Sequence, residues 1–315
     1  MEKIKLGISS CLLGNNVRYD GGHKQDKFLT HILGKYVDYI PVCPEVESGL
    51  GVPRAPMRLE GNLLSHRLMI TGTGKDLTGR MLAWASKKAG KLAKEQLCGF
   101  IFKSASPSCG MERVKIYGEK SKPVKNGVGL FAEFFMSRFP LLPVADEIRL
   151  HDPGLRDHFI QSIFVLARWH ELLGTGNFKE NLMDFHTKHE LLILSHSTRH
   201  YQEMCRLMAA RGNYSSQSLR KKYMELLLQS LAFKTTPAKH AHVLCRMMGY
   251  LKKCLSADEK IKLLNLINQY RRGLVALNVP VTLIIHYAGK YNVAYVKRQV
   301  YFNPHPVQSQ LQRHV

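Results

Sequence analysis

The sequence predicts an α/β domain with a mostly parallel sheet over residues 1–150 and an all-α helical bundle over residues 151–315. Two observations carry the first half of that reading. Three short apolar runs rich in Ile, Val, Tyr and Phe, each too short for a helix, end at a cysteine: IKLGISSC at Cys11, YVDYIPVC at Cys43 and FIFKSASPSC at Cys109. Between them lie helical patterns, as a parallel sheet with crossovers requires. The second half rests on HDPG at 151–154, beyond which strand signals nearly vanish and apolar residues recur at three and four, as in DHFIQSIFVLARWHELL.

Three strand-end thiols converge readily, because the crevice beyond the carboxyl ends of parallel strands is where an open α/β sheet places its ligands. A shared metal site and three buried core thiols are the two readings of that pattern. The count of three is informative. A fully ligated iron–sulfur cube takes four cysteines, so three leave one iron open, while a closed structural zinc wants a fourth protein ligand. No Cys-x-x-Cys pair occurs in the chain, which argues against zinc ribbons and thioredoxin-like chemistry.

Composition narrows the class. The seven cysteines are an odd number scattered over 315 residues with no leading apolar segment, which predicts a reducing, cytoplasmic setting rather than a disulfide scaffold. No apolar run approaches a membrane span; the most apolar stretch, VPVTLII around Thr282, is far too short. Residues 1–150 carry 23 Lys and Arg against 14 acids and residues 151–315 carry 23 against 10, for a net charge of +22. So much positive charge repels itself unless a polyanion is the normal partner, and nucleic acid is the leading candidate.

Taken in order, the first strand runs into CLLGNNVRYDGGHK, where the glycines permit close backbone approach and Arg18, Tyr19 and Asp20 bring a fork donor, an aromatic plate and a carboxylate near Cys11. Residues 26–35 read as a helix before the second strand. In CPEVESGLGVPR, Glu45 stands two residues from Cys43, a partly desolvated carboxylate suited to general acid or base work; its plainer reading is a turn carboxylate capping amides. Residues 57–71 read as a hairpin, and GTGKD at 72–76 is not a phosphate loop, since Met69 and Asp76 stand where that motif needs Gly and Ser or Thr. A helix over 77–97 has an apolar face through Leu77, Met81, Trp84, Leu92 and Leu97 and a basic face through Arg80, Lys87, Lys91 and Lys94. Cys98 starts the third strand and is assigned to structure. SASPSCG then surrounds Cys109 with Ser104, Ser106 and Ser108, hydroxyls able to bond cluster sulfurs or a substrate carbonyl. A further helix is expected over 128–139.

In the second half, FHTKHELLILSHSTRHY reads as one long helix with His186, His189, His196 and His200 near one face, a set lacking the carboxylate or cysteine of a known zinc spacing. Arg220, Lys221, Lys222, Lys252, Lys253, Arg271 and Arg272 are the natural phosphate contacts, with solvated helix surface as the alternative. Cys205, Cys245 and Cys254 fall on helical patterns and are expected to pack as small hydrophobes.

The motifs SSCLLG…VRYDGGHK, CPEV…GL..PR and KSASPSCG resemble the thiouracil desulfidase (TudS) family over about the first 150 residues. That resemblance implies a Rossmann-like α/β domain in which Cys11, Cys43 and Cys109 hold a 4Fe-4S cluster with one open iron, and a non-redox removal of sulfur from a thiolated base. It further implies that Glu45 and Ser104, the latter chosen over Ser106 and Ser108, handle protons. Arg18, Tyr19, Asp20, Ser106 and Ser108 are the expected substrate contacts. Residues 185–201, with HVLCRMMGYLKK and VPVTLIIHY, resemble the helical YbgA-type domain. The fusion of the two is similar to the RudS proteins, which implies 4-thiouridine in tRNA as substrate. A desulfidase of free thiouracil and a non-catalytic RNA-binding or cluster-sensing protein are the alternatives.

Overall fold

The computed structural model describes residues 3–118 and 122–306. The chain divides between Ala167 and Arg168 into two compact units. The first is α/β with a parallel sheet and the second is helical. The part of the expected bundle beyond residue 306 lies outside the described residues.

Among the described residues eight strands form in the first unit: β1 (Ile4–Ser9), β2 (Val37–Val42), β3 (Met57–Gly61), β4 (His66–Ile70), β5 (Gly99–Phe102), β6 (Val114–Tyr117), β7 (Val124–Gly127) and β8 (Val144–Asp146). They make two sheets, in the orders β2-β1-β5-β8 and β4-β3-β6-β7. Every pairing in the first is parallel. Its central strands are buried almost continuously, β5 at all four positions and β1 at five of six, as strands covered on both faces require, while the edge strand β2 is buried only at Val37 and Val42. Gly7 in β1 is needed there, because a Cβ would lie 2.2 Å from the Phe100 ring. Phe100, Phe102, Phe131 and Phe135 pack around that point with ring centroids 4.4 to 6.2 Å apart.

The predicted hairpin at 57–71 exists, but it is half of the second sheet: β3 pairs antiparallel with β4 and parallel with β6. Strands β6 and β7 gave no clear signal in sequence, since VKIY and VKNG are only four residues each and VKNG carries a single apolar side chain. Helices α1 (Pro44–Glu47), α2 (Thr78–Leu92), α3 (Leu130–Arg138), α4 (Glu147–His151) and α5 (Pro153–Leu173) complete the unit, whose boundary falls inside α5. The expected helix at 26–35 is a π-helical turn over Phe28–Ile32 followed by a 3₁₀ turn over Leu33–Lys35. The early part of α5 covers β5, with Ile163 and Phe159 in contact range of the face above Gly99.

The second unit contains α6 (Phe178–His196), α7 (Thr198–Ala209), α8 (Ser216–Leu231), α9 (Pro237–Leu251), α10 (Ala257–Arg271), α11 (Asn278–Lys290) and α12 (Ala294–Lys297). Ser215 caps α8, Thr236 caps α9, and Ser256 with Glu259 forms a capping box on α10. Trp169 and Tyr223 stack at its centre, 5.3 Å apart, with Phe178 and Phe185 edge-on to Trp169. The long helix expected at 185–201 breaks at Ser197, which is extended and whose hydroxyl accepts from the His200 amide to start α7. His186, His189 and His196 are buried within α6, and each ring bonds to its own partner: Tyr223 at 3.0 Å, the Phe185 carbonyl at 2.7 Å and the Phe233 carbonyl at 2.7 Å. Cys205 packs 3.7 Å from His186, but Cys245 and Cys254 are exposed, on outward positions of their segments, contrary to expectation. Among the described residues no helix is long and apolar enough to cross a membrane.

Candidate active site at the carboxyl ends of the parallel strands

All four strands of the parallel sheet deliver chemistry to the same edge. Ser9, Ser10 and Cys11 follow β1, Cys43 follows β2, Lys103 and Ser104 follow β5, and Glu147 follows β8. The first three sets line a cavity of about 400 Å³, within the usual range for small-ligand sites. Cys11, Cys43 and Cys109 all open onto it, together with Glu45, Ser104, Ser106 and Ser108. Arg18 and Tyr19 stand on its wall too. Asp20 does not; it pairs with Arg18 at 3.3 Å and accepts the Gly22 amide at 3.0 Å, so it shapes the loop.

The loop carrying Cys109 is held by a helix end. The amides of Phe131 and Ala132, at the start of α3, both donate to the Ser108 carbonyl, and that of Leu130 donates to Pro107. Orphan donors of the helix are satisfied and the loop is fixed by the same contacts. Gly129 makes the approach possible, since a Cβ there would sit 2.6 Å from the Ser108 carbonyl carbon. Ser9, buried at the end of β1, accepts the Lys103 amide at 2.9 Å and hydrogen-bonds the Cys109 thiol.

Burial raises all three thiols: Cys11 is pushed up to about 11, Cys43 is raised, and Cys109 stands well above the ordinary value. Cys11 and Cys43 each act on Cys109 electrostatically, so the three sulfurs share one electrostatic neighbourhood. Among the described residues no three metal-ligating side chains close on one point as a single ion demands. Thiolate is the ligand type that iron–sulfur clusters take, and these three thiols line one cavity.

Two carboxylates govern the hydroxyls. Glu45, in α1, is gripped through Oε2 by Arg54 Nε at 2.9 Å and by Arg54 Nη2, while its Oε1 accepts Ser108 Oγ at 2.7 Å. Arg54 also donates to the carbonyls of Val17 at 2.9 Å and Gly51 at 3.0 Å, which fixes the fork. Since the Ser108 hydrogen is committed to Glu45, Ser106 is the donor in the 3.0 Å contact between the two serines. The Ser106 oxygen in turn accepts the Ser108 and Cys109 amides. The result is a directed chain from Ser106 through Ser108 to Glu45.

Ser104 belongs to a different set. Its amide and hydroxyl donate to Glu147, at 2.9 and 2.5 Å, and its oxygen accepts Lys103 Nζ at 3.0 Å. Lys103 and Glu147 form an ion pair with both side chains less than one-fifth exposed. Burial alone would raise the Glu147 carboxyl, but hydrogen bonds from Lys103 and Ser104 outweigh it and hold the group below its ordinary value. Sequence reading brought forward Ser104 and passed over Ser9, Arg54, Lys103 and Glu147. Arg54 stood inside a quoted motif; Glu147 directly after a three-residue strand carried no local signal.

Of the basic residues singled out in the second unit, Lys221, Lys222, Lys252, Lys253, Arg271 and Arg272 are exposed, whereas Arg220 lies over the Phe178 ring at 4.6 Å. In the first unit Arg80 donates to the Ser48 and Gly49 carbonyls, so that cation staples α2 to the turn after α1.

Comparison with known proteins agrees with this division. Residues 6–147 match the family described as 2-thiouracil desulfurase, and residues 190–306 match DUF1722, a family of unknown function. The chain is 28% identical over 151 residues to the uncharacterized protein YbgA of Escherichia coli (strain K12), covering 48% of this chain and 89% of that one. It is 29% identical over 108 residues to the uncharacterized protein YbbK of Bacillus subtilis (strain 168), covering 33% and 71%. A solved structure titled [4Fe-4S]-dependent thiouracil desulfidase TudS aligns with 29% identity and a TM-score of 0.39, over 48% of this chain and 95% of that chain. Residues 6–147 are therefore similar to 2-thiouracil desulfurase domains, and residues 190–306 to DUF1722 domains.

Proposed function

We propose that this protein is an iron–sulfur-dependent desulfidase that converts thiolated uridine in tRNA, chiefly 4-thiouridine, to uridine with release of sulfide. The observation that carries the reading is the arrival of Cys11, Cys43 and Cys109 at one cavity beside the Glu45–Ser108–Ser106 chain. A cavity of about 400 Å³ takes a pyrimidine base, and free thiouracil satisfies the same chemistry. The charge of +22 favours a polyanionic carrier of that base.

Cys11, Cys43 and Cys109 would hold a 4Fe-4S cluster, leaving one iron without a protein ligand. That iron, when present, supplies Lewis-acid polarisation of a thiocarbonyl. The chain's own residues handle the rest. Water's oxygen replaces sulfur on the ring carbon, so two protons leave the water and pass to solvent or to the departing sulfide. Glu45 Oε1 takes the first, directly or through the Ser108 hydroxyl already bonded to it. Arg54 keeps that carboxylate aimed, gripping its other oxygen. Ser104 orients the base, and Tyr19, on the cavity wall and 42% exposed, offers a stacking face to it. A base inside folded tRNA must leave its stack to enter.

The test is sulfide release, measured without oxygen, from free 4-thiouracil, 4-thiouridine and thiolated tRNA at rising salt. Turnover of tRNA should fall steeply with salt and small-substrate turnover should change little. Equal salt response for all three would remove tRNA as the substrate, and sulfide from none would remove the desulfidase.

A further inference from the structure

Ser104 lines the cavity and is only 9% exposed, so what its hydroxyl can offer there is limited by the partners it already has. A serine hydroxyl has one hydrogen and two acceptor positions. The hydrogen lies on Glu147 Oε1 at 2.5 Å, and a carboxylate held in its ionised form accepts and never donates. One acceptor position is taken by Lys103 Nζ at 3.0 Å. Lys103 spends its remaining donors on the Ser104 carbonyl, at 3.1 Å, and on Glu147, so it has no free hydrogen with which to release that contact. Glu147 is outside the cavity wall, fixed on the first residue of α4 directly after β8.

We propose that Glu147 and Lys103 lock Ser104 as a hydrogen-bond acceptor facing the cavity, so that the site selects bases with a ring N–H beside the thiocarbonyl. The inference rests on the desulfidase reading and deepens it. A uracil-type ring presents N3–H next to C2 and C4, and Ser104 accepts it. A cytosine-type ring presents a lone pair at N3, which meets the Ser104 lone pair with no hydrogen between them. Glu147 is thereby a positioning residue for specificity, acting through Ser104.

The paired substrates 2-thiouridine and 2-thiocytidine test this with the full-length, iron-loaded protein, and binding of uridine against cytidine to the metal-free protein tests it without turnover. One buried acceptor left unmatched costs a factor of about 10 to 100, so 2-thiouridine should exceed 2-thiocytidine in kcat/KM, and uridine should bind more tightly than cytidine, by that factor. Ser104→Ala removes the acceptor and should bring both ratios down to within about threefold of unity. Glu147→Ala, by freeing the Ser104 hydrogen to turn, should narrow them likewise. If Glu147→Ala does not fold, Ser104→Ala, which removes a single oxygen, decides the matter. Parent protein that treats the two bases alike, or Ser104→Ala with the parent's ratios, overturns the proposal. Absence of sulfide from both nucleosides and from 4-thiouridine would instead remove the desulfidase reading, and the uridine–cytidine binding ratio would still decide the role of Ser104.

Discussion

The Ser108 hydroxyl donates to Glu45 Oε1 across 2.7 Å, joining the loop after β5 to the short helix after β2. Both residues border the cavity that Cys11, Cys43 and Cys109 share. A carboxylate, a relay hydroxyl and three thiols are thus assembled from three separate strand ends. Glu45→Gln keeps the side chain's shape but cannot take up a proton, and should lower kcat by about 10²- to 10⁴-fold with little change in KM. Ser108→Ala should lower it less, because Glu45 stays gripped by Arg54. Parent-like kcat in Glu45→Gln would assign the proton to another group.

Arg54 is the counter-charge for Glu45, with the two side chains 9% and 13% exposed. Removing one partner of a buried pair leaves an uncompensated charge, so Arg54→Met should destabilise the first unit by about 3 kcal/mol. Thermal unfolding followed by a probe in each unit checks this, with the Trp84 signal moving and the Trp169 signal holding.

Acid should loosen the helical unit. Burial holds His189 down to about 3, and burial also lowers His186 and His170. The unfolded chain takes up protons near the ordinary histidine value that the folded unit refuses, so stability is full above about pH 6.5 and falls steadily toward pH 3. The midpoint in urea, followed at Trp169 between pH 7.5 and 4.5, should decline; a flat profile would mean these rings protonate in place. His189→Gln should flatten the slope if the unit accepts the amide.

The parts of this architecture visible in sequence were those with a local signature. Apolar runs ending at Cys11, Cys43 and Cys109 gave the strand ends and, with them, the edge where the site lies. Partners joined across long separations left no such trace: Glu147 reaches Ser104 over 43 residues, and Ser108 reaches Glu45 over 63. Hydroxyl choice within SASPSCG depends on where each side chain points, which three serines in five positions do not disclose. The break at Ser197 was hidden because apolar periodicity runs through it, while the cap that starts α7 is a single side-chain contact. Two lysine-bearing strands, β6 and β7, were lost because four residues are too few to show a period, although Lys115 stands exposed between buried Val114 and Ile116. Family resemblance supplied the cluster and the reaction, which no spacing in this chain states.

Cluster binding separates the cysteines. Protein purified without oxygen should be brown, and Ser in place of Cys11, Cys43 or Cys109 should abolish the colour and the iron content. Cys98→Ser should leave both unchanged, since Cys98 precedes β5 at the opposite end of that strand from Lys103. Because the three buried thiols must lose protons to bind iron, loading should weaken as pH falls. Iron retained in all three variants would exclude this site.

Desulfuration itself is tested most directly by a single-turnover reaction of iron-loaded protein with 4-thiouridine-containing tRNA, without oxygen or added reductant, followed by sulfide assay and nucleoside analysis. One sulfide and one uridine should appear for each 4-thiouridine lost, with none from the Cys109→Ser variant. Unchanged 4-thiouridine and no sulfide from iron-replete protein would contradict the assignment.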